Sequence, residues 1–119
     1  MKVWVWLGNV DDTFDLYDYM ENRYVDDDST SQFRSDFNLP WFDDDFREAI
    51  QGEPKLVGEL LEGASYWEDF IGAVETKVAA LFGDESTFNA AVLIYDEDFS
   101  PKKFTKKAGG LEFIGSFEF

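Results

Sequence analysis

Lys2-Val3-Trp4-Val5-Trp6-Leu7-Gly8-Asn9 is the stretch on which the fold turns. Its β-branched and aromatic residues predict a strand over 2–7, and Gly8-Asn9 punctuates its end. Alternation puts Trp4 and Trp6 on one face and Val3, Val5 and Leu7 on the other. Both faces are therefore apolar, as expected of a strand that is central or covered on both sides. The residues leave its pairing partners open.

Beyond Asn9, Asp11 and Asp12 read as an N-cap and first-turn acids. Phe14, Tyr17, Met20 and Tyr24 follow at helical spacing, predicting an amphipathic helix over 12–24. Residues 26–31 read as a polar loop and 32–42 as irregular, with Pro40 barring a helix just before it. Asp43-Asp44-Asp45 then opens a short helical stretch carrying Phe46, Ala49 and Ile50, which Gly52 stops. Pro54 suits a helix first turn, and Leu56, Val57, Leu60 and Leu61 form a short apolar face up to Gly63. Ser65-x-x-Glu68 has the form of a capping box, followed by a strong helix from Trp67 to Gly83. Residues 90–95 predict a buried strand, and 96–110 a long connection. From Leu111 the chain alternates, with Leu111, Phe113, Phe117 and Phe119 on one face, so 111–119 predicts a half-exposed strand.

The order is β-α-α-α-α-β-β. It predicts an α+β fold: a small, mostly antiparallel sheet of about three strands covered by three to four helices. The last two strands are expected to pair with each other across the long connection. The 119 residues, 45% apolar and 18% aromatic, suit a single domain over residues 1–119 with ample core material.

Charge narrows the function. There are 26 acids against 10 bases, a net charge of -16. Such a surface repels the phosphates of nucleic acid and the anionic membrane leaflet, so neither is expected as a partner, and a basic protein is. Residues 1–50 hold 13 acids and 4 bases, residues 51–100 hold 11 and 2, and residues 101–119 hold 2 and 4. The acid excess thus sits before the last strand. Lys102, Lys103, Lys106 and Lys107 form one small basic cluster in the last connection, there to solubilise a loop or to pair with the fold's own acids.

Cys and His are both absent. That removes disulfides, thiol nucleophiles, Cys-ligated metals and the usual general base near neutral pH. No Gly-rich phosphate loop or nucleophile elbow occurs. In a chain with this many carboxylates a pair of acids carries no information, so an enzyme is not expected, nor a cofactor. Asp26-Asp27-Asp28 fails as a calcium loop, because positions six and twelve fall on Ser31 and Phe37 instead of Gly and Glu. No metal site is expected. The aromatics are interleaved with acids, unlike a platform for single-stranded nucleic acid. The start of the chain lacks a basic, then long apolar, secretion signal, and the expected location is cytoplasmic.

Two acid clusters remain as candidate contact surface: Asp26, Asp27 and Asp28, and the run Trp41, Phe42, Asp43, Asp44 and Asp45. Acids at a helix start cap free N–H groups, yet three in a row exceed what capping needs. Aromatics beside them give the composition of a binding hot spot.

The chain resembles the immunity protein 22 family of bacterial polymorphic-toxin systems over nearly its whole length. The likeness rests on Val3-Trp4-Val5-Trp6-Leu7-Gly8-Asn9, on Tyr19 and Tyr24, and on Ser31-Gln32-Phe33 with Asp36-Phe37. It continues through Phe42-Asp43-Asp44-Asp45-Phe46-x-Glu48, Leu93-Ile94-Tyr95 and Phe113-Ile114-Gly115-Ser116-Phe117. The chain departs from the family at Asn38-Leu39-Pro40-Trp41, where a Gly-containing segment is expected. The resemblance implies an antidote that binds a cognate toxin C-terminal domain and blocks it. The acid surface is compatible with occlusion of a basic groove, as in a nuclease acting in the cytoplasm. An acidic regulatory module, or a mimic of DNA charge without a dedicated toxin, is the alternative.

Overall fold

The computed structural model describes residues 1–25 and 28–119. The Val3–Leu7 stretch forms the middle of β1 (Lys2–Gly8). It is followed by α1 (Leu16–Met20), a two-stranded ribbon of β2 (Arg23–Val25) and β3 (Asp28–Thr30), and α2 (Gln32–Phe37). A 3-10 turn at Asp44–Phe46 leads into β4 (Arg47–Leu56). Next come α3 (Val57–Leu60), α4 (Trp67–Phe82), β5 (Thr87–Tyr95), β6 (Lys107–Ala108) and β7 (Leu111–Glu118). The class is α+β as expected, but the sheet has five strands, not three, in the order β4-β5-β1-β7-β6, with every pairing antiparallel.

β1 is the central strand, and both its faces are buried. Val3, Val5 and Leu7 pack beneath α3 and α4, against Phe70, Val74 and Val78. Trp4 and Trp6 pack on the opposite side beneath α1 and α2, with Phe33, Phe37 and Met20. Trp6 meets Phe33 edge-on at 5.2 Å and Phe113 at 5.0 Å between ring centroids. Such aromatic pairs add stabilisation beyond burial alone.

β5 and β7 do not pair with each other, contrary to expectation. β1 lies between them. The connection 96–110 is long because it must cross β1. It does so over the tryptophan face, where Phe99 packs on Trp4 and Phe104 on Phe113. The alternation of β7 also breaks. Val5 pairs with Gly115, but Trp6 pairs with Phe113. Ile114 is the extra residue of a β-bulge. Leu111 and Phe113 therefore face the tryptophans, whereas Ile114, Phe117 and Phe119 face the α4 side.

The largest correction concerns residues 43–56. The helical stretch expected from Asp43 to Gly52 is a 3-10 turn and a strand, while the second expected helix survives as the short α3 and starts at Val57. Ala49 packs toward the tryptophan side and Ile50 toward the α4 side, the two-residue period of a strand. Pro54 starts no helix. It lies in the register break between Gln51 and Lys55, where β4 makes no ladder pair, a place that suits a residue without an N–H.

The helical pieces of the first half are short, and their caps define them. Asp15, not Asp11 or Asp12, caps α1, its carboxylate accepting from the N–H of Tyr17 (3.0 Å) and Asp18 (3.2 Å). Leu16, Tyr19 and Met20 are the buried residues, while Tyr17 and Tyr24 face solvent. Within the segment expected to be irregular lies α2, capped by buried Ser31 through Arg34 N–H at 3.1 Å. Asn38 ends α2 with φ 56°, ψ 51°. Asn tolerates this left-handed geometry, and it opens the Asn38–Trp41 link, the segment in which the family resemblance calls for a Gly. The Ser65 capping box does not form. α4 begins after Tyr66, itself left-handed, with no side-chain cap. Ser65 instead donates its N–H to Glu48 Oε1 (2.9 Å) and accepts from the Tyr95 hydroxyl (2.8 Å).

Candidate functional site

Trp41 and Phe42 diverge. Phe42 is 2% exposed and sits edge-on to Phe33 and Phe99. It is a core residue, which corrects its place among the surface candidates. Trp41, one residue earlier, is 63% exposed. The buried ring pins the segment to the body, so its neighbours stand outward on a fixed base.

The three acids that follow differ in their tasks. Asp43 caps the 3-10 turn, accepting from Asp45 N–H at 2.9 Å. Asp44 accepts from Arg47 Nε at 3.3 Å and from the Asn22 side-chain amide. Asp45 points its carboxylate to solvent and takes no intramolecular partner among the described residues. Only Asp43 is committed to capping in the way the sequence allows.

Of the first acid cluster, Asp26 and Asp27 lie outside the described residues. Asp28 opens β3 and is exposed. The structure does bring the two clusters' neighbourhoods together. Asn22, next to β2, reaches Asp44, and Arg23 pairs with Asp18 at 2.8 Å. The ribbon base, α1 and the acid turn thus share one side of the molecule.

Among the exposed aromatics that escape sequence reading are Tyr17 (60%), Tyr24 (81%) and Phe46 (50%). Periodicity placed Tyr17 and Tyr24 on a buried face of a long helix and Phe46 on another helix.

Beside this region a cleft of about 500 Å³ opens between α1, the ribbon and α2, lined by Phe14, Asp15, Asp18, Tyr19, Arg23 and Gln32. Its polar groups are mostly engaged. Asp15 caps α1, Asp18 holds Arg23, and Gln32 donates to Asp36 at 2.6 Å. The Tyr19 hydroxyl donates to Asp36 Oδ2 at 2.8 Å. Burial first, and the Asp36 carboxylate second, raise the Tyr19 phenol above its ordinary value. Among the described residues no three acidic side chains converge as metal ligands would. What the region offers is acceptor oxygens and aromatic faces, which is chemistry for binding.

The lysine cluster lies on the far edge of the sheet. Lys106 covers the rings of Phe104 and Phe113 at 3.4 and 5.1 Å, and Lys107 pairs with Glu112 at 3.8 Å.

A family model described as Immunity protein 22 matches residues 3–119. The chain belongs to the immunity protein 22 family. The match takes in every strand and helix above, from the second residue of β1 to past the end of β7. Comparison with curated proteins and with solved structures gave no match. Membership carries an immunity role in general terms: an antidote that binds a cognate toxin. No helix among the described residues is long and apolar enough to cross a membrane.

Proposed function

We propose that this immunity protein neutralises its toxin by stoichiometric occlusion in the cytoplasm. The toxin we infer is an enzyme with a basic substrate groove, a nuclease foremost. The observation that carries this reading is the 41–46 segment, where exposed Trp41 and Phe46 flank three consecutive aspartates over a buried Phe42. An aromatic anchor excludes water at the centre of an interface. Carboxylates around it speed encounter with a basic surface and fix its register. A groove shaped to hold phosphates presents that basic surface.

The test is co-expression with the C-terminal domain of a candidate toxin encoded beside it, followed by pull-down. Survival of the cells together with an equimolar complex supports the reading. Cell death with no complex overturns it.

A further inference from the structure

β4 is an open edge of the five-stranded sheet. Its inner side pairs with β5 along Arg47–Gln51 and again at Lys55–Leu56. Successive residues of such a strand turn their N–H and C=O alternately toward the neighbour and away from it. Half of the polar backbone of Arg47–Gln51 therefore points outward. Arg47 N–H turns back to the Asp44 carbonyl. Beyond that, no backbone group of another segment bonds to the backbone of this stretch outside its pairing with β5, among the described residues; the contacts other backbones make here go to side chains, Phe14 C=O and Leu16 N–H to Gln51 and Ser65 N–H to Glu48.

Proteins ordinarily blunt such edges with short strands, lysines, prolines or bulges. The opposite edge follows that rule: β6 has two residues and belongs to the segment with Lys102, Lys103, Lys106 and Lys107. On β4 the same devices are confined to the far half, in Pro54, Lys55 and the register break after Gln51. The near half is regular and carries neither proline nor lysine. It begins where the acid turn ends, beside exposed Phe46.

We infer that the outer edge of Arg47–Gln51 receives an extended, basic segment of the toxin as a sixth strand. This deepens the occlusion reading and rests on it. Main-chain hydrogen bonds would hold the incoming strand, and side chains at its flanks would select it. The flanks here are Asp43, Asp44, Asp45, Glu48 and Glu53, against Arg47 and Lys55, with Arg47 already held by Asp44. The charge they call for is positive. A second copy of this chain is the poorer occupant, because each copy carries -16 and like edges would repel. Nucleic acid meets the same repulsion from its phosphates.

The experiment uses the full chain and the C-terminal domain of the toxin it neutralises. Amide hydrogen exchange is followed at residues 47–51, free and in complex. Alternate amides there should slow about tenfold or more on binding. In parallel, Ala49→Pro and Ile50→Pro are compared. Neighbouring residues face opposite edges, so one proline removes an outward N–H and the other an N–H bonded to β5. The variant that keeps the parent Tm is the outward one, and it should bind about tenfold or more weakly. Should both variants unfold, the exchange pattern decides alone. A complex that forms and neutralises with unchanged exchange at 47–51 overturns the strand assignment and leaves the immunity reading standing. Protection that appears in the chain alone as its concentration rises makes a second copy the occupant and also overturns it. No complex under any condition removes both readings.

Discussion

The Asn22 side-chain amide donates to the Asp44 carboxylate and so ties the base of the β2–β3 ribbon to the acid turn before β4. Twenty-two positions separate the two residues in sequence. The bond joins two acid-rich segments that a linear reading could only treat apart.

Changing Asp43, Asp44 and Asp45 together to Ser tests the charge of that side. Ser is itself a good N-cap, so stability should stay within about 1 kcal/mol of the parent. Association with toxin should slow on the order of tenfold at low salt, and its salt dependence should flatten. Stopped-flow binding across a salt series reads both. A triple variant that associates and protects like the parent would make the segment a cap and nothing more.

Trp41 and Phe42 should separate cleanly. Trp41→Ala touches an exposed ring and should change stability by no more than about 0.5 kcal/mol. It should weaken toxin binding by about 2 kcal/mol or more if Trp41 is an interface anchor. Phe42→Ala empties a core position and should cost about 3–5 kcal/mol of stability. Denaturant melts and titration calorimetry on the two variants measure the split.

Gly8 is required by close approach. A Cβ there would lie 1.9 Å from the Gly110 carbonyl oxygen and 2.9 Å from Leu111 Cα, both backbone. Gly8→Ala would have to move β7 away from the central strand, at a cost of at least about 3 kcal/mol, the upper end of ordinary overpacking. Gly52→Ala is the control, because a Cβ at Gly52 meets nothing within 4 Å. Urea unfolding midpoints compare them.

Stability should fall at alkaline pH. The Tyr19 and Tyr95 phenols are both raised above their ordinary value of 10.0, chiefly by burial. The Asp36 carboxylate adds to Tyr19 and the Glu48 carboxylate to Tyr95. Above pH 10 the unfolded chain has released these protons while the folded chain keeps them. The unfolded state then binds fewer protons, so stability decreases as pH rises. The contribution is complete below about pH 10 and is lost as pH climbs toward the folded values. Tm measured from about pH 8 upward should drop, and Tyr19→Phe with Tyr95→Phe should flatten that drop. A parent Tm independent of pH in this range would contradict it.

The central strand was legible because both its faces are apolar, a pattern few other environments explain. α4 and β5 were legible for similar reasons of length and periodicity, through Phe70, Val74 and Val78, and through Ala90 to Tyr95. β4 was not. Arg47-Glu48-Ala49-Ile50-Gln51 holds only two apolar residues, and as an edge strand it needs no more. Its strand character comes from β5, whose partner residues Ala90 to Ile94 are 39 to 47 positions away. The bulge at Ile114 was hidden because Phe113 and Phe117 share one parity in sequence but not one face in space. In the candidate site the acids were plain in sequence. The exposure of Tyr17, Tyr24 and Phe46 depends on how short α1 is and on the 3-10 turn, both decided by local caps.

Titration of the toxin domain with this protein, reading residual toxin activity, tests the central claim most directly. Occlusion predicts a linear fall in activity that reaches zero at one equivalent, with the equivalence point unmoved by further antidote. Full activity at several equivalents, or silencing by a small fraction of an equivalent, would contradict it.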